Sequence, residues 1–426
     1  MDLDTARWLA SSAGRDILAR LPAYDEDAAL ARQTQLRAEG VPAEGAAAVL
    51  GQSRLAARAV EKFGPDAARL LYTDDGLAQA TRPELAAAHA RRFAATGIDT
   101  VLDLGCGIGS DAMAVAAAGL RVEALDVDPV TAALAAANLA QWPAAQAHQG
   151  RAEDVAVPEE RTRHTGVWLD PARRIPGVAD VRGRPRRTSS LADLAPPWSL
   201  VLELAGRVPA TGAKLSPGLG HAAVPAGAEA QWTSWRGEVL ECAVWWGPLV
   251  AVPGRTAAVC RPGSPPEVIT TGDVRDEPPL GALAEVGAWL YEADRAVVAA
   301  GLSASLPGRE LTRGVGYATG GAVVDLPWTR RYAVLEAMPL RVKVLRGWLR
   351  SRGIGQVTVK KRGASVDADA LRMQLRGPGP ERAVLVVSSV AARAVVLVVE
   401  PVGSSAQPSE PDDSGSRHAP DPQPGA

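Results

Sequence analysis

Val101-Leu102-Asp103-Leu104-Gly105-Cys106-Gly107-Ile108-Gly109 reads as a buried strand running straight into a glycine-rich turn. Twenty-one residues past Gly105, a second apolar run, 121–125, ends in Asp126. A glycine turn lets the backbone come close to a ligand that a side chain would push away. A carboxylate at the end of the next strand accepts two hydrogen bonds from a ribose. Together they predict a nucleoside-binding site at the carboxyl end of a parallel sheet.

The glycine spacing narrows the choice of nucleoside. The dinucleotide fingerprint is G-x-G-x-x-G, with a helix N-terminus aimed at a pyrophosphate. Here the third glycine, Gly109, comes one residue early, and Asp111 puts a negative charge where the pyrophosphate would lie. That charge opposes a dinucleotide and tolerates a ligand carrying an amine and a sulfonium. Asp103, just before the turn, is placed to hold a positively charged amino group. The set Asp103, Gly105, Cys106, Gly107, Gly109 and Asp126 resembles the first two motifs of class I S-adenosylmethionine-dependent methyltransferases. The resemblance implies S-adenosyl-L-methionine as cofactor, held by these residues and by Val127 beside Asp126. After the third strand, Gly150-Arg151-Ala152-Glu153-Asp154 stands where that fold offers an acid, Asp154 or Glu153, to the adenine amino group. The competing reading is a nicotinamide-binding Rossmann domain, or a degenerate one without a ligand.

Residues 1–92 read as a helical region. Within 45–63 the apolar residues Val49, Leu50, Leu55, Ala59, Val60 and Phe63 recur near helical period, and Gly64-Pro65 stops the helix. Another helix, over 83–93, starts at Pro83 with Thr81 as its candidate cap. From residue 100 strand and helix alternate, the sign of an α/β sheet. Strands are expected at 100–104, 121–126, 146–149, 165–169 and 213–215, and helices at 111–118, 129–139 and 199–207. A hairpin of 230–236 with 238–246, turning at Gly237, forms the sheet edge. The predicted fold is α/β: a Rossmann-like seven-stranded class I methyltransferase sheet over 93–262. A Pro- and Gly-rich linker, 262–279, leads to a smaller α+β unit over 280–402. The tail 403–426, rich in Ser, Pro, Asp and Gly, is expected to be disordered.

Val167-Trp168-Leu169-Asp170-Pro171-Ala172-Arg173-Arg174 closes the fourth strand. Class I enzymes acting on amino groups carry Asn or Asp, two prolines and an aromatic there. By that resemblance Asp170 and Pro171 are catalytic: the carboxylate and a backbone carbonyl accept hydrogen bonds from the target amine and direct its lone pair at the methyl group. Ala172 and Arg173 replace the second proline and the aromatic, which leaves Trp168 or Tyr72 as candidate stacking rings. Arg173, Arg174, Arg182, Arg184, Arg186 and Arg187 follow, with Asp180 the one acid among them. Such a loop suits phosphate contacts, or is a solvated mobile segment. Lys214, in an apolar run at a strand end, needs a partner if buried. Asp170 on the neighbouring strand and a substrate phosphate are the two candidates.

A second basic concentration lies between residues 341 and 376, with ten Lys or Arg against two acids. Its centre reads as an alternating strand entering a basic turn at Lys360-Lys361-Arg362-Gly363, expected to contact substrate phosphates. The alternative is an amphipathic helix with a solvated basic face.

Composition bounds the rest. A chain of 426 residues implies two or three domains, and 47% hydrophobic residues suffice for a sizeable core. No run of 18 apolar residues occurs, so no membrane partner is expected. The acidic start Met1-Asp2-Leu3-Asp4 is unlike a signal peptide. Three scattered cysteines give neither a disulfide framework nor a metal site, which fits a cytoplasmic protein.

Several segments together resemble one narrower group. They are Tyr72-Thr73, Gly76-Leu77, Gln79-Ala80-Thr81-Arg82-Pro83, the glycine turn, Asp170 to Arg174 and Lys214-Leu215-Ser216-Pro217-Gly218. Tyr291-Glu292-Ala293-Asp294-Arg295-Ala296-Val297-Val298 and Thr358-Val359-Lys360-Lys361-Arg362-Gly363 complete the set. This resembles bacterial class I methyltransferases with a C-terminal THUMP-like domain, over about residues 40–400. THUMP domains are associated with RNA binding in tRNA-modifying enzymes, so the resemblance implies an RNA substrate; taken with the Asp170-Pro171 motif, the leading expectation is methylation of a base nitrogen of structured RNA, tRNA or rRNA. The alternatives are a small-molecule methyltransferase whose extra domain is a lid or dimerisation surface, and a non-catalytic RNA-binding protein that senses the cofactor.

Overall fold

The protein, seen in a computed structural model, is described over residues 1–172, 174–179, 185–187 and 190–402. The disordered-tail expectation for 403–426 lies outside the described residues. Two compact units divide at Thr271 and Gly272.

In the first unit the strands are β1 (Thr100–Leu104), β2 (Arg121–Asp126), β3 (Ala145–Gln149), β4 (Thr165–Leu169), β5 (Ala210–Leu215), β6 (Glu229–Trp235), β7 (Glu238–Trp245), β8 (Gly254–Arg261) and β9 (Ser264–Thr270). They form one sheet in the order β9-β8-β6-β7-β5-β4-β1-β2-β3. β1 and β4 are buried along their whole length, as parallel strands covered on both faces must be. Helices α6 (Pro83–Ala94), α7 (Ser110–Ala117) and α8 (Pro129–Leu139) cover one face through Phe93, Val115 and Leu139. Helix α9 (Trp198–Arg207) covers the other through Val201 and Leu204. The N-terminal helices α1 (Leu3–Ala10), α2 (Ser12–Arg20), α3 (Ala29–Ala38) and α4 (Ala43–Phe63) belong to the same unit, where Leu9 and Val49 pack with Leu134 of α8.

The seven expected strands are present in the expected class I arrangement, and two more extend the sheet. β8 runs parallel to β6, and β9 pairs antiparallel with β8, so the β6–β7 hairpin is interior rather than an edge. The boundary expected at 262 falls on the turn of the β8–β9 hairpin. Pro262-Gly263 signals a tight turn as readily as a linker. Ser264-Pro265-Pro266-Glu267 carries no strand alternation, and prolines are tolerated on an edge strand.

The second unit contains β10 (Trp289–Ala293), β11 (Arg309–Glu310), β12 (Tyr317–Gly320), β13 (Thr329–Pro339), β14 (Ile354–Lys361), β15 (Glu381–Val390) and β16 (Arg393–Pro401), in the order β11-β12-β10-β13-β16-β15-β14. After the short helix α10 (Arg295–Ala299), helices α11 (Val342–Ser351) and α12 (Ala368–Leu375) bury Leu345, Leu349, Leu371 and Leu375 against Leu385, Val387, Val396 and Val398. The basic strand expected around 356–361 is β14.

Three strands separate β10 from β14, which in a flat sheet would set them roughly 19 Å apart. Instead Lys360 Nζ lies 3.1 Å from Glu292 Oε2, and Arg362 Nη2 lies 3.3 Å from Glu292 Oε1. The sheet therefore curls until its basic strand end meets β10. Tyr332 and Tyr317 also donate to Glu292, at 2.7 and 3.3 Å. Burial pushes the Glu292 carboxyl up, but Lys360, Tyr332 and Arg362 outweigh it and hold it below the usual range. Glu292→Gln is expected to cost about 3 kcal/mol, because it leaves two half-buried cations without their anion. Urea denaturation of the full chain measures it.

Among the described residues, no helix is long and apolar enough to cross a membrane, and no three His, Cys, Asp or Glu side chains gather as a metal site.

Candidate active site

Parallel register pairs Leu104 with Leu125 on β2 and with Leu169 on β4. The glycine turn, Asp126 and Asp170 therefore emerge side by side at the carboxyl ends, where the strand order reverses and open α/β sheets bind ligands. A cavity of about 350 Å³ opens there, lined by Gly105, Gly107, Asp126, Glu153, Asp170 and Lys214, with further wall from α5 (Asp74–Gln79). Ligand cavities span roughly 300–1,000 Å³.

The turn needs its glycines. Gly105 has φ +92°, and a Cβ there would sit 3.0 Å from the Asp170 carbonyl oxygen. Gly107, at φ +56°, donates its N–H to Asp126 Oδ2 at 3.0 Å, and the Asp128 N–H donates to Oδ1 at 2.9 Å. Each oxygen keeps a second lone pair for a ligand hydroxyl. Burial pushes the Asp126 carboxyl up against the pull of these donors.

Among the described residues, the cavity wall carries five carboxylates, Asp75, Asp111, Asp126, Glu153 and Asp170, against two cations, Arg151 and Lys214. Behind the turn, Asp103 is buried and both its carboxylate oxygens lack a hydrogen-bond partner. Burial, with Asp111 and Asp170 nearby, drives its carboxyl well above the usual range. These charges suit a nucleoside bearing positive charge and oppose a pyrophosphate, so the residues fit the cofactor implied above.

The structure brings most of the expected site residues to this cavity and moves several elsewhere. Gly105, Cys106, Gly107, Asp126, Val127, Asp170 and Pro171 are on the wall. Asp103 lies beneath it. Gly109, at φ +86°, is the N-cap of α7. Glu153 reaches the cavity and Asp154 does not, because the 3-10 turn Ala152–Asp154 aims successive side chains apart.

Trp168 and Tyr72 are core residues and offer no free ring. Trp168 stacks on Trp245 at 5.0 Å, and Tyr72 donates its hydroxyl to the Ala67 carbonyl. Arg173 lies outside the described residues, and Arg174 begins a short strand, Arg174–Ala179. Lys214 is about one-tenth exposed and sits 2.6 Å from Asp170, an ion pair where a phosphate contact was the alternative. Lys360 and Arg362 are committed to Glu292, whereas Lys361 is exposed.

Sequence reasoning missed a buried file of polar side chains behind Asp170. Lys214 Nζ donates to Thr81 Oγ1 at 2.8 Å, and Thr81 Oγ1 donates to Asp111 Oδ2 at 2.6 Å. His89 Nδ1 lies 2.8 Å from Asp111 Oδ1, and its Nε2 lies 2.7 Å from Glu241 Oε1. Thr81 thus does not cap α6; its hydroxyl belongs to this file. The one available signal was Asp111, a carboxylate at a helix start that faces the sheet.

Known proteins resemble this chain in three ways. The model of a methyltransferase domain matches residues 101–168, that of a THUMP domain-like unit matches 329–401, and that of a domain of unknown function matches 2–59. Two curated relatives from strains of Mycobacterium tuberculosis, each named an uncharacterized S-adenosylmethionine-dependent methyltransferase, are 32% identical over 331 residues, covering 76% of this chain and 85% of theirs. A crystal structure of a methyltransferase from Porphyromonas gingivalis superposes with a TM-score of 0.68 at 18% identity, covering 90% of this chain and all of that one, a likeness of fold.

Proposed function

The chain belongs to the S-adenosylmethionine-dependent methyltransferases, and from that premise we propose that it methylates a base nitrogen of structured RNA, tRNA or rRNA. When bound, S-adenosyl-L-methionine supplies an already activated methyl group. The chain's own work is then to bind, align and exclude water. Asp126 accepts from the ribose, and the carboxylate wall favours the positive charge. Asp170 accepts a hydrogen bond from the target amine and so leaves the nitrogen lone pair facing the donor.

The observation that carries this reading is the Asp170–Lys214 pair on the cavity wall, directly before Pro171. An adjacent ammonium holds a carboxylate ionised and therefore ready to accept.

RNA as substrate is supported by the THUMP-like match and by the surface of that unit. Arg341, Lys343, Arg350 and Arg352 are exposed around α11, as are Lys361 and Arg376. The Arg352 guanidinium lies 3.9 Å over the Trp348 ring. Arginine forks match phosphate oxygens, and each phosphate neutralised on a single strand adds about −0.7 to the salt slope.

The experiment is transfer of radiolabelled methyl groups to total RNA from a strain lacking this protein, followed by nucleoside mass spectrometry. Label on a base nitrogen is the expected result. Protein that binds the cofactor yet labels no RNA overturns the substrate assignment.

A further inference from the structure

Of three buried titratable side chains, His89 and Glu241 take no part in the reaction described above, and Asp111 enters it only as charge on the cavity wall. They continue the file that begins at Asp170 and Lys214. Thr81 gives its one hydroxyl hydrogen to Asp111, so it can only accept from Lys214. His89 has a carboxylate oxygen 2.8 Å from Nδ1 and another 2.7 Å from Nε2, an arrangement that favours the imidazolium, which can donate from both nitrogens. Burial would push its pKa down, but Glu241 and Asp111 raise it to about 9. The rings of Trp168 and Trp245, centred 4.6 and 5.6 Å away, enclose it, and indole faces favour a cation.

Charge therefore alternates along the file: Glu241 negative, His89 positive, Asp111 negative, Lys214 positive, Asp170 negative. Lys214 has two carboxylates to serve, Asp170 directly and Asp111 through Thr81. Among the described residues, further charges near the file include Asp103 on β1, Asp126 on β2 and Lys62 on α4. None of these supplies Asp111 with a second cation. His89 does, from the far side, and that leaves Lys214 to Asp170.

We propose that His89 and Thr81 are positioning residues for methyl transfer: the imidazolium satisfies Asp111 and, through the Thr81 hydroxyl, reserves Lys214 for Asp170, which then meets the target amine ionised and in one orientation. This rests on the reading of Asp170 as the acceptor for that amine. Removing the imidazolium, or the hydroxyl, lets Asp111 draw Lys214 toward itself. Asp170 then loses part of its counter-ion, and its carboxyl titrates higher.

The test uses the full chain with carboxyl-¹³C aspartate and ring-¹⁵N histidine; five histidines keep the spectrum readable. The Asp170 signal is assigned by its loss in Asp170→Asn. His89 is expected doubly protonated at pH 7.5. The Asp170 midpoint should rise by about one pH unit in His89→Gln and in Thr81→Val, and stay in place in Thr81→Ser. A singly protonated His89 at pH 7.5, or an Asp170 midpoint unmoved in both variants, overturns the proposal.

The kinetic arm uses RNA from the deletion strain. The acid limb of kcat should move with the Asp170 midpoint, while the calorimetric Kd for S-adenosyl-L-methionine and the KM for RNA hold. A carboxyl shift with an unmoved kcat profile overturns the positioning role and leaves the RNA reading intact. Wild-type protein that labels no RNA sinks that reading instead, and the carboxyl titration still decides whether His89 and Thr81 act on Asp170.

Discussion

Asp126→Ala is expected to raise the Kd for S-adenosyl-L-methionine by about 100-fold in calorimetry, with the protein still folded. Two hydroxyl hydrogen bonds to a charged acceptor contribute about 1.5–3 kcal/mol each, and 1.4 kcal/mol is a factor of ten. The full sum is not lost, because water replaces the carboxylate in the opened space. A second effect adds to the first. The Gly107 and Asp128 N–H groups lose the acceptor that ties the glycine turn to β2, so the turn that cofactor must fit is less well held. Asp126→Asn keeps an oxygen at one position and should cost about tenfold. The residue stands at a strand end beside solvent, so folding is little affected. Wild-type affinity in Asp126→Ala would remove the ribose assignment.

The parts of this site legible in the sequence are those set by backbone demands. Gly105 is required by its φ and by the Asp170 carbonyl 3.0 Å from where a Cβ would stand. β1 and β4 are required by largely apolar runs, interrupted in β1 by Asp103, that are buried along their whole length as in a covered parallel sheet. Asp170 and Lys214 were legible as neighbours because adjacent parallel strands put the residues after Leu169 and Ala213 side by side. What escaped has no local pattern. His89, Thr81 and Glu241 come from a helix, a loop and a strand far apart in the chain, and each alone looks like an ordinary core or capping residue. Gly212 was equally silent. It admits the Trp245 and Trp168 rings, whose atoms lie 2.7–2.9 Å from where its Cβ would be. The basic run 360–362 misled for a related reason. Charge in a sequence shows where cations are, and only the curl of the sheet shows that Lys360 and Arg362 spend theirs on Glu292.

Asp170→Asn is expected to lower kcat by about 10³-fold while the Kd for cofactor stays within about twofold. Asparagine matches the shape but carries no charge, and its amide can turn donors toward the target amine, so the nitrogen lone pair is no longer directed. The substitution also removes the carboxylate in direct contact with the largely enclosed Lys214 and leaves it Asp111 through Thr81, which costs about 3 kcal/mol of stability. A fall in activity must therefore be measured well below the lowered unfolding midpoint, with the folded fraction checked by circular dichroism. Lys214→Met separates the two effects. It removes that cation and keeps the Asp170 carboxylate, about one-third exposed, whose ionisation is then expected to need a higher pH. In that variant kcat should be low at neutral pH and recover as the pH rises and Asp170 ionises. In Asp170→Asn no pH restores it, because no carboxylate is there to form. Recovery of Asp170→Asn at high pH, or flat profiles in both, would take the amine-accepting role away from Asp170.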